Sequence, residues 1–503
     1  MTEVDCKRRW LLNAGGLAIA LNALPAVAGK ASQAGHQEDQ TPGGETGASG
    51  QAVPDWQYVS PLTTRLADHV SGTLDRSLPA NVIECTKLHV LDTVAAMVSG
   101  SRLKPGQMAA RYVDSLGGKP EATVVGTNLL TSVVNATFAN AMAAHADESD
   151  DSNPVGPFHA GCGCVPAALA TAEVWKRSGS DVLRAVTLGY DVGTRLIQAL
   201  GGTRHNPSCM TNSFAVTATA AALLRLTPAQ VRYAFSYAGQ QASGIGYWDR
   251  DIQHIEKAFD FGGMGARNGI MAATMAAMGF TAVEDPFSGK PNVFTVLGEK
   301  PQPQMLTAGL GVRYDILDTT IKQWGGGMPL QSLLDNMMAL VKNPKIRAGN
   351  IKRIIAEVPS NDAHIEDNNP NPDLCAQHLI ALTIVDRGAG FWSVHDAARM
   401  QDPRILAVRK LVALVASPEL KAAKPSHQTR ITIETNDGRR FTERTRKILG
   451  TEQDPMDRQQ VEAKASDLME PVLGRERTQE LIVLMRRFER LESMAGLRRL
   501  LQA

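Results

Sequence analysis

The chain has 503 residues, of which 43% are hydrophobic and 20% are charged, and its formal net charge at pH 7 is +1. This composition is ordinary for a globular protein of more than one domain. A near-neutral charge without a dense Lys/Arg tract gives no electrostatic footprint for nucleic acid, so we expect no nucleic-acid partner. Six cysteines, none of them in a Cys-x-x-Cys pair, argue against a disulfide framework and against a structural zinc site.

The first 28 residues have the pattern of an export signal. A basic segment at positions 7–9 precedes an apolar run at positions 11–24, and Ala-Val-Ala at positions 26–28 resembles a cleavage site. The run is shorter than the about 20 residues that cross a membrane, and paired arginines before it are typical of twin-arginine export. We expect residues 1–28 to be removed, a periplasmic location, and no membrane contact afterwards. The alternative is an ordinary amphipathic N-terminal helix.

Residues 29–55 are rich in Gly, Ser, Gln, Thr and Pro, which predicts a linker without regular structure. The next part of the chain, residues 56–317, shows repeated helical periodicity with Gly and Pro between the segments. The predicted helices cover residues 64–74, 81–99, 131–144, 164–175, 182–200, 215–224 and 266–279. The exception is the sequence at 122–126, which predicts a short strand. We therefore predict a large helical domain over residues 56–317.

Residues 318–450 have the pattern of a smaller α+β domain. Residues 351–358 and 429–434 alternate apolar and polar side chains, and Asn-Asp-Gly at 436–438 predicts a hairpin to 440–445. Helical segments are predicted at 329–341 and 374–386. Residues 451–503 are helical again, and we expect them to return to the helical domain. The predicted fold class is mainly α with a smaller α+β domain.

The segment from His145 to Ser152 is the first candidate site. It carries four carboxylates at the end of a predicted helix, where the helix dipole disfavours negative charge. Such a cluster requires a metal, basic side chains or raised pKa values, and its spacing does not match an EF-hand loop. The flanking His145 and His159 favour a proton-transfer site over a solvated acidic loop.

Four further segments carry candidate side chains. His205 lies in a loop before an Ala-rich helix, where a structural role is the more common one. Lys257 precedes a glycine-rich helix start, but no strand comes before it and no GKS/T follows, which argues against a nucleotide loop. Lys322 lies beside Trp and three glycines at the predicted domain junction, which favours a ligand loop or a hinge. His378 opens an apolar helix, where core histidines are common.

In chain order, these pieces resemble the MmgE/PrpD family. The resemblance extends from about Leu66 to Leu468, and its ordered set of segments is specific although each is weak alone. The segments are 91–93, 118–126, 139–151, 159–161, 165–169, 189–195, 238–244 and Lys257. The resemblance implies a helical domain with a smaller α+β lid, usually a homodimer, acting on small polycarboxylates without a metal or other cofactor. Members include 2-methylcitrate dehydratases, cis-aconitate decarboxylases and an iminodisuccinate epimerase.

The family's functional positions fall on individual residues of this chain. Glu148 stands where Asp is usual, Ser152 where the family has Thr, and His159 matches a family histidine although Ala160 replaces the proline after it. The other matches are the next family histidine, two lysines and a position that is Tyr in decarboxylase-like members, which fall on His205, Lys257, Lys322 and His378.

The chain departs from the family pattern at the predicted domain junction. Trp-Gly-Gly-Gly at 324–327 and Met-Pro-Leu-Gln at 328–331 replace the family's Tyr-Pro-x-Cys segment and the histidine after it. His378 in place of Tyr changes both the side-chain pKa and the donor geometry. These differences argue against strict 2-methylcitrate dehydratase or cis-aconitate decarboxylase activity.

The sequence therefore predicts an exported metal-free lyase, a hydro-lyase that removes a proton next to a carboxylate of a small di- or tricarboxylate. The expected catalytic residues, which exchange protons, orient a histidine or close the site from the lid, are His159, His205, Glu148 and His378. The expected substrate-binding residues are Lys257, Lys322, Ser152, Asp150 and Asp151. The alternatives are an epimerase or isomerase, a decarboxylase, and a non-catalytic exported carboxylate-binding protein.

Overall fold

The structure, a computed structural model, describes residues 57–156 and 158–502. The export signal and linker predicted over residues 1–55 lie outside the described residues. None of the described helices is long and apolar enough to cross a membrane.

The first part of the described chain is mainly helical, as its periodicity predicts. Its helices are α1 (Pro61–Ser71), α2 (Ala80–Gly100), α3 (Lys104–Leu116), α4 (Val133–Ala144), α5 (Ala160–Trp175), α6 (Gly179–Leu200), α7 (Pro207–Leu223), α8 (Pro228–Gln241), α9 (Ile255–Ala258), α10 (Met264–Ala277) and α11 (Val293–Leu297). Local capping sets several of their starts. Ser178 and Asp181 form a capping box at the start of α6, and the Ser132 hydroxyl accepts a hydrogen bond at the start of α4.

Small residues let these helices approach one another closely. A Cβ added at Gly265 on α10 would lie 2.6 Å from the Cβ of Asn212 on α7, and one added at Gly269 would lie 2.6 Å from the Cβ of Val216. The high Ala and Gly content therefore serves backbone-to-backbone packing in a helical core. The predicted short strand is confirmed as β1 (Ala122–Thr123), which pairs antiparallel with β2 (Leu130–Thr131).

The α+β region has its own hydrophobic core. Its elements are α12 (Gln331–Val341), β3 (Ile351–Pro359), α13 (Ala363–Glu366), α14 (Ala376–Asp386), α15 (Phe391–His395), α16 (Pro403–Arg409), β4 (Val412–Ser417), α17 (Pro418–Ala422), β5 (Arg430–Thr435) and β6 (Arg440–Arg444). The sheet order is β4-β3-β5-β6, and β3 pairs parallel with β4 and antiparallel with β5. The predicted hairpin is confirmed, with Gly438 at φ 85° in its turn. Strand β4 was not predicted.

The last helices are α18 (Arg458–Leu473), α19 (Arg475–Met485) and α20 (Ala495–Leu501). They contact the helical region: Lys464 on α18 donates to the Asp92 carboxylate on α2 at 2.6 Å, and the Gly126 amide donates to the Leu501 carbonyl at 2.8 Å. The predicted fold class, mainly α with a smaller α+β domain, is confirmed.

Candidate active site

The segment between α4 and α5 carries the acidic cluster that the sequence singles out. All four of its carboxylates are buried: Asp147, Glu148, Asp150 and Asp151. The cluster is therefore not a solvated acidic loop, because buried carboxylates require partners for their charge.

Two lysines hold Glu148. The Lys257 ammonium donates to one carboxylate oxygen, and the Lys322 ammonium donates to the Glu148 carbonyl at 2.9 Å and lies 3.3 Å from the other carboxylate oxygen. Burial alone would raise the pKa of Glu148, but the charges of the two lysines lower it well below its usual range. Glu148 is thus an anion fixed between two cations.

Two histidines hold Asp150. The Nδ1 atom of His145 lies 3.0 Å from both carboxylate oxygens, and the Nδ1 atom of His159 lies 3.1 Å from Oδ1. Although burial would raise it, the pKa of Asp150 is lowered well below its usual range by these rings and by Lys322. The carboxylate therefore favours a proton on Nδ1 of His159, which leaves Nε2 as an acceptor.

His159 is suited to accept a proton at neutral pH. Burial lowers its pKa, and the attraction of Asp150 only partly offsets this effect. The ring also lines a cavity, described below, so its free nitrogen has access to a ligand. A neutral imidazole whose second nitrogen is held by a buried carboxylate is the usual arrangement of a histidine general base.

Asp151 has a different role from its neighbour. Its carboxylate accepts hydrogen bonds from the Gly161 amide at 3.0 Å, from the Tyr190 hydroxyl, and from Nδ1 of His89 at 2.9 Å. Against the effect of burial, the hydrogen bond to Asp151 raises the pKa of His89 to about 10. A Cβ at Gly161 would lie 2.5 Å from the Thr93 hydroxyl, so only glycine fits beside this carboxylate. Asp151 therefore caps α5 and holds α5, α6 and α2 together.

A cavity of about 380 Å³ lies against the acidic cluster, between the helical and α+β regions. The helical region contributes polar and aromatic side chains, among them Glu148, Ser152, His159, Lys257, Trp248 and Phe261. The α+β region contributes mostly apolar side chains together with His427; the apolar ones include Met328, Pro329, Ile365, Leu374 and Ile448. The Lys257 ammonium lies 4.8 Å from the centroid of the Trp248 ring, a cation–π distance that helps to orient it.

The structure brings together five of the predicted site residues and places a sixth at the cavity. The five are Glu148, Asp150, His159, Lys257 and Lys322. Lys322 is fully buried and does not line the cavity, so it makes no direct contact with a ligand there and instead positions Glu148 and Asp150. Ser152 lines the cavity and forms an isolated antiparallel bridge with Thr320.

Three predicted site residues lie elsewhere. Asp151 faces the α5 capping network. His205 is a partly buried loop residue whose amide donates to the Thr203 hydroxyl, and it does not line the cavity. His378 lies inside the α+β core with neither ring nitrogen hydrogen-bonded, and burial together with Arg409 and Arg399 lowers its pKa to about 4. The structure therefore corrects the expectation that His378 closes the site, because α14 turns this side chain into the core.

Besides His427 on the cavity wall, His145 and His254 beside the acidic cluster were not among the predicted catalytic residues. His145 stacks on Phe261 with ring centroids 4.8 Å apart, and the Nε2 atom of His254 lies 4.0 Å from Glu148. Burial and Lys257 lower the pKa of His254 well below its usual value, so its ring is neutral. One local signal could have identified each of them: His145 begins the acidic segment, and His254 lies three residues before Lys257.

Two groups of buried side chains have donor atoms within 4.8 Å of one another, as metal ligands do. They are His145 with Asp150 and His159, and His145 with Glu148 and His254. The carboxylates in both groups already pair with lysine ammonium groups, which a divalent cation would have to displace. The donor set therefore fits proton transfer better than metal binding.

Residues 64–306 match the MmgE/PrpD N-terminal domain, and residues 327–490 match the MmgE/PrpD C-terminal domain. The chain belongs to the MmgE/PrpD family. This membership confirms the resemblance drawn from the ordered motifs.

Curated relatives of this MmgE/PrpD protein are distant in sequence. The cis-aconitate decarboxylase of Aspergillus terreus is 24% identical over 88% of this chain and 96% of its own length. The human cis-aconitate decarboxylase is 23% identical over 88% of this chain and 94% of its own length. The cis-aconitate decarboxylase-like protein oryM of Aspergillus oryzae is 26% identical, but the match spans 52% of this chain and 58% of that relative.

Proposed function

We propose that this MmgE/PrpD protein is a hydro-lyase that removes a proton next to a carboxylate of a small di- or tricarboxylic acid and expels the neighbouring hydroxyl as water. One observation carries the proposal: a neutral histidine, His159, lines the cavity while its Nδ1 is held by the buried Asp150. The relatives named as cis-aconitate decarboxylases support a carboxylic acid as the substrate.

In the proposed reaction, Nε2 of His159 accepts the proton from the carbon next to the substrate carboxylate. The electron pair of that C–H bond forms the new C=C bond while the C–O bond to the neighbouring hydroxyl breaks. Asp150, 3.1 Å from the ring, stabilises the imidazolium that forms. The departing hydroxide needs a proton, and His427 is the other histidine among the described residues that line the cavity.

Because proton removal runs ahead of C–O cleavage, the transition state carries additional, enolate-like negative charge on the substrate carboxylate. Lys257 is the cation available to stabilise it, because its ammonium lies at the cavity wall and is already oriented by Glu148 and Trp248. Low local polarity strengthens this attraction, since the nearby wall is largely apolar. Lys322 acts one step further away, by fixing the position of Glu148.

Decarboxylation is the second candidate reaction, since the relatives that match over most of their length are cis-aconitate decarboxylases. Loss of carbon dioxide leaves a carbanion that must receive a proton. A histidine whose pKa is lowered is unprotonated at neutral pH, and it is better suited to accept a proton than to donate one. This property favours dehydration for the present chain.

The test is turnover of a panel of di- and tricarboxylates by the purified protein in deuterated water with EDTA, followed by proton NMR. A hydro-lyase yields an alkene without loss of carbon dioxide, and His159→Asn removes that activity. Release of carbon dioxide would establish the decarboxylase instead. Deuteration without an alkene would establish an epimerase or isomerase, and ligand-induced thermal stabilisation without any product would establish a binding protein.

We also propose export through the twin-arginine pathway and assembly as a homodimer. The first rests on the basic, apolar and small-residue pattern of positions 7–28, and the second on the family. Fractionation of cells that produce the full chain, compared with a variant in which Arg8 and Arg9 are both lysine, tests export. Light scattering of the purified protein tests the dimer; a mass near 54.0 kDa would contradict it.

A further inference from the structure

The charges around the cavity do not suit a polyanion. Among the described residues that line it, Lys257 is the one lysine or arginine, and its charge is matched by Glu148. Two further carboxylates, Asp318 and Glu452, also line the cavity. Burial and the neighbouring Glu452 raise the pKa of Asp318, as expected for two acids that share a wall.

The other cations of the site are not free to balance a polyanion. Lys322 is fully buried and is shared between Glu148 and Asp150. His427, the proposed proton donor, is paired with the Asp362 carboxylate at 3.0 Å. His159 and His254 both have lowered pKa values and are neutral near pH 7. A ligand with three carboxylates would therefore desolvate at least one of them without a cation to pair with it, which is strongly unfavourable.

Much of the remaining cavity wall is apolar, with a few polar side chains such as Ser426 and Thr451 among the apolar ones. Met328, Pro329, Ile365, Leu374 and Ile448 line it from the α+β region, and Leu374 is itself buried. The volume of about 380 Å³ falls within the range of pockets that enclose ligands larger than a short polar acid. Moving an uncharged, apolar substituent from water to this wall would be favourable. A charged substituent would instead lose its hydration without gaining a partner for its charge.

We infer that the substrate is a carboxylic acid with at most two carboxylates and an uncharged apolar substituent. The reacting carboxylate lies at Lys257, and the substituent lies against Met328 and Leu374. This inference rests on the proposed function, because that function places the reacting carboxylate at Lys257. It goes further by excluding tricarboxylates and by naming the wall that selects the substituent.

Three acids that share one core test this inference: 2-isopropylmalate, citramalate and citrate, which carry isopropyl, methyl and carboxymethyl groups on the same malate carbon. Calorimetry on the purified protein gives the three dissociation constants. Each added methylene should tighten binding roughly fourfold, so 2-isopropylmalate, with two more methylenes, should bind roughly fifteenfold more tightly than citramalate. Citrate should bind at least tenfold more weakly than citramalate. Citrate binding as tightly as 2-isopropylmalate, or no binding of any of the three, would overturn the inference.

Variants test whether the preference for 2-isopropylmalate depends on the apolar wall of the cavity. Met328→Gln should reduce the preference for 2-isopropylmalate over citramalate to less than about threefold, because the amide must be desolvated beside the isopropyl group. Met278→Gln is the matched control, because Met278 is 80% exposed on the helical region, and it should leave the preference unchanged. Asp318→Asn combined with Glu452→Gln should strengthen citrate binding relative to citramalate. An unchanged preference in Met328→Gln, with its melting temperature retained, also contradicts the inference.

Turnover measured on the same three acids separates this inference from the proposed function. Tight 2-isopropylmalate binding that depends on Met328, without turnover of any acid, would support the inferred ligand class and count against the hydro-lyase. Turnover of citrate in preference to the other two, abolished by His159→Asn, would support the hydro-lyase and overturn the inferred class.

Discussion

The two walls of the cavity differ in how they are built. The helical wall consists of charges that are held in place: Glu148 lies between two lysines, and Asp150 lies between two histidines. The α+β wall consists mainly of uncharged side chains such as Met328 and Leu374. Substitution of one buried charged residue is strongly destabilising, because its partner is left buried without an opposite charge. Substitution of one apolar side chain by another of similar size costs little stability. We therefore assign chemistry to the helical wall and ligand selection to the α+β wall.

The largest expected effect is on the helical wall. His159→Asn removes the proposed base, and we expect kcat to fall by about 10² to 10⁴. His378→Asn is the comparison, because His378 lies in the α+β core away from the cavity, and kcat per folded molecule should stay within about twofold. Steady-state kinetics gives kcat for both variants, and circular dichroism gives the fraction of each that is folded. Equal losses of kcat would mean that the assignment of chemistry to the helical wall is wrong.

Lys257→Met should affect both turnover and stability. Loss of the cation that stabilises the enolate should lower kcat by about 10² to 10³. It also leaves Glu148 with one partner fewer, which costs about 3 kcal/mol or more of unfolding free energy for a buried pair. The double variant Lys257→Met/Glu148→Gln should regain much of the stability but none of the turnover. Urea unfolding and kinetics on the single and double variants make the test; recovery of turnover would contradict the role of Lys257.

A smaller effect on turnover is expected where α18 supports the acidic segment. Lys464 donates to Asp92 at 2.6 Å and to the Ser149 carbonyl at 2.7 Å, between Glu148 and Asp150 in the chain. Lys464→Met should lower kcat about tenfold with little change in KM, because the charged groups lose their exact placement. It should also destabilise the fold by about 3 kcal/mol, and Asp92→Asn in the same chain should reduce that loss. A change in KM alone would speak against this positioning role.

The pH dependence of stability should reveal the neutral histidines of the helical wall. His159 and His254 have folded-state pKa values below 6.5, so the unfolded chain binds more protons below pH 6.5 and stability rises with pH up to that point. The folded-state pKa of His89 is raised to about 10, so the folded chain binds more protons between pH 6.5 and 10 and stability falls there. The combined contribution of these three histidines to stability therefore changes from rising to falling near pH 6.5.

His254→Asn tests the acidic side of that curve. Asparagine tolerates the left-handed backbone at φ 56°, so the variant should fold and should show a weaker loss of stability below pH 6.5. The exposed His364 provides the matched control, and His364→Asn should leave the curve unchanged. Thermal unfolding from pH 5 to pH 9 measures both variants. An identical acidic slope in His254→Asn and the original chain would contradict the assignment.

The smallest expected effect concerns the α+β wall. Met328 is only partly buried, so Met328→Gln should change the unfolding free energy by less than about 1 kcal/mol while it alters ligand preference. Urea unfolding beside the calorimetry described above completes the comparison of the two walls. If Met328→Gln lowered the unfolding free energy as much as Lys257→Met, the α+β wall would not tolerate substitution better than the helical wall.

Much of the fold could be predicted because its signals are local. Helical periodicity, capping residues and the Asn-Asp-Gly turn act within a few neighbouring residues, and they correctly predicted the helical region and the hairpin of β5 and β6. Strand β4 escaped prediction because its partner β3 begins about sixty residues earlier, and a parallel pairing leaves little local pattern. The sequence also marked the acidic segment and both lysines, because clustered charge is visible without a structure.

The tertiary structure alone decided which of these residues act together. Asp150 and Asp151 are adjacent in the chain, yet the first meets His145 and His159 while the second meets His89 and Tyr190. His378 and His254 show the same dependence. The sequence favoured His378 for the site, but the packing of α14 buries it in the α+β core. His254 was not predicted, yet it lies beside Glu148 in the site. The physical reason is common to all of them. Which side chains meet is set by how the helices pack around the acidic segment, and no local pattern records that packing.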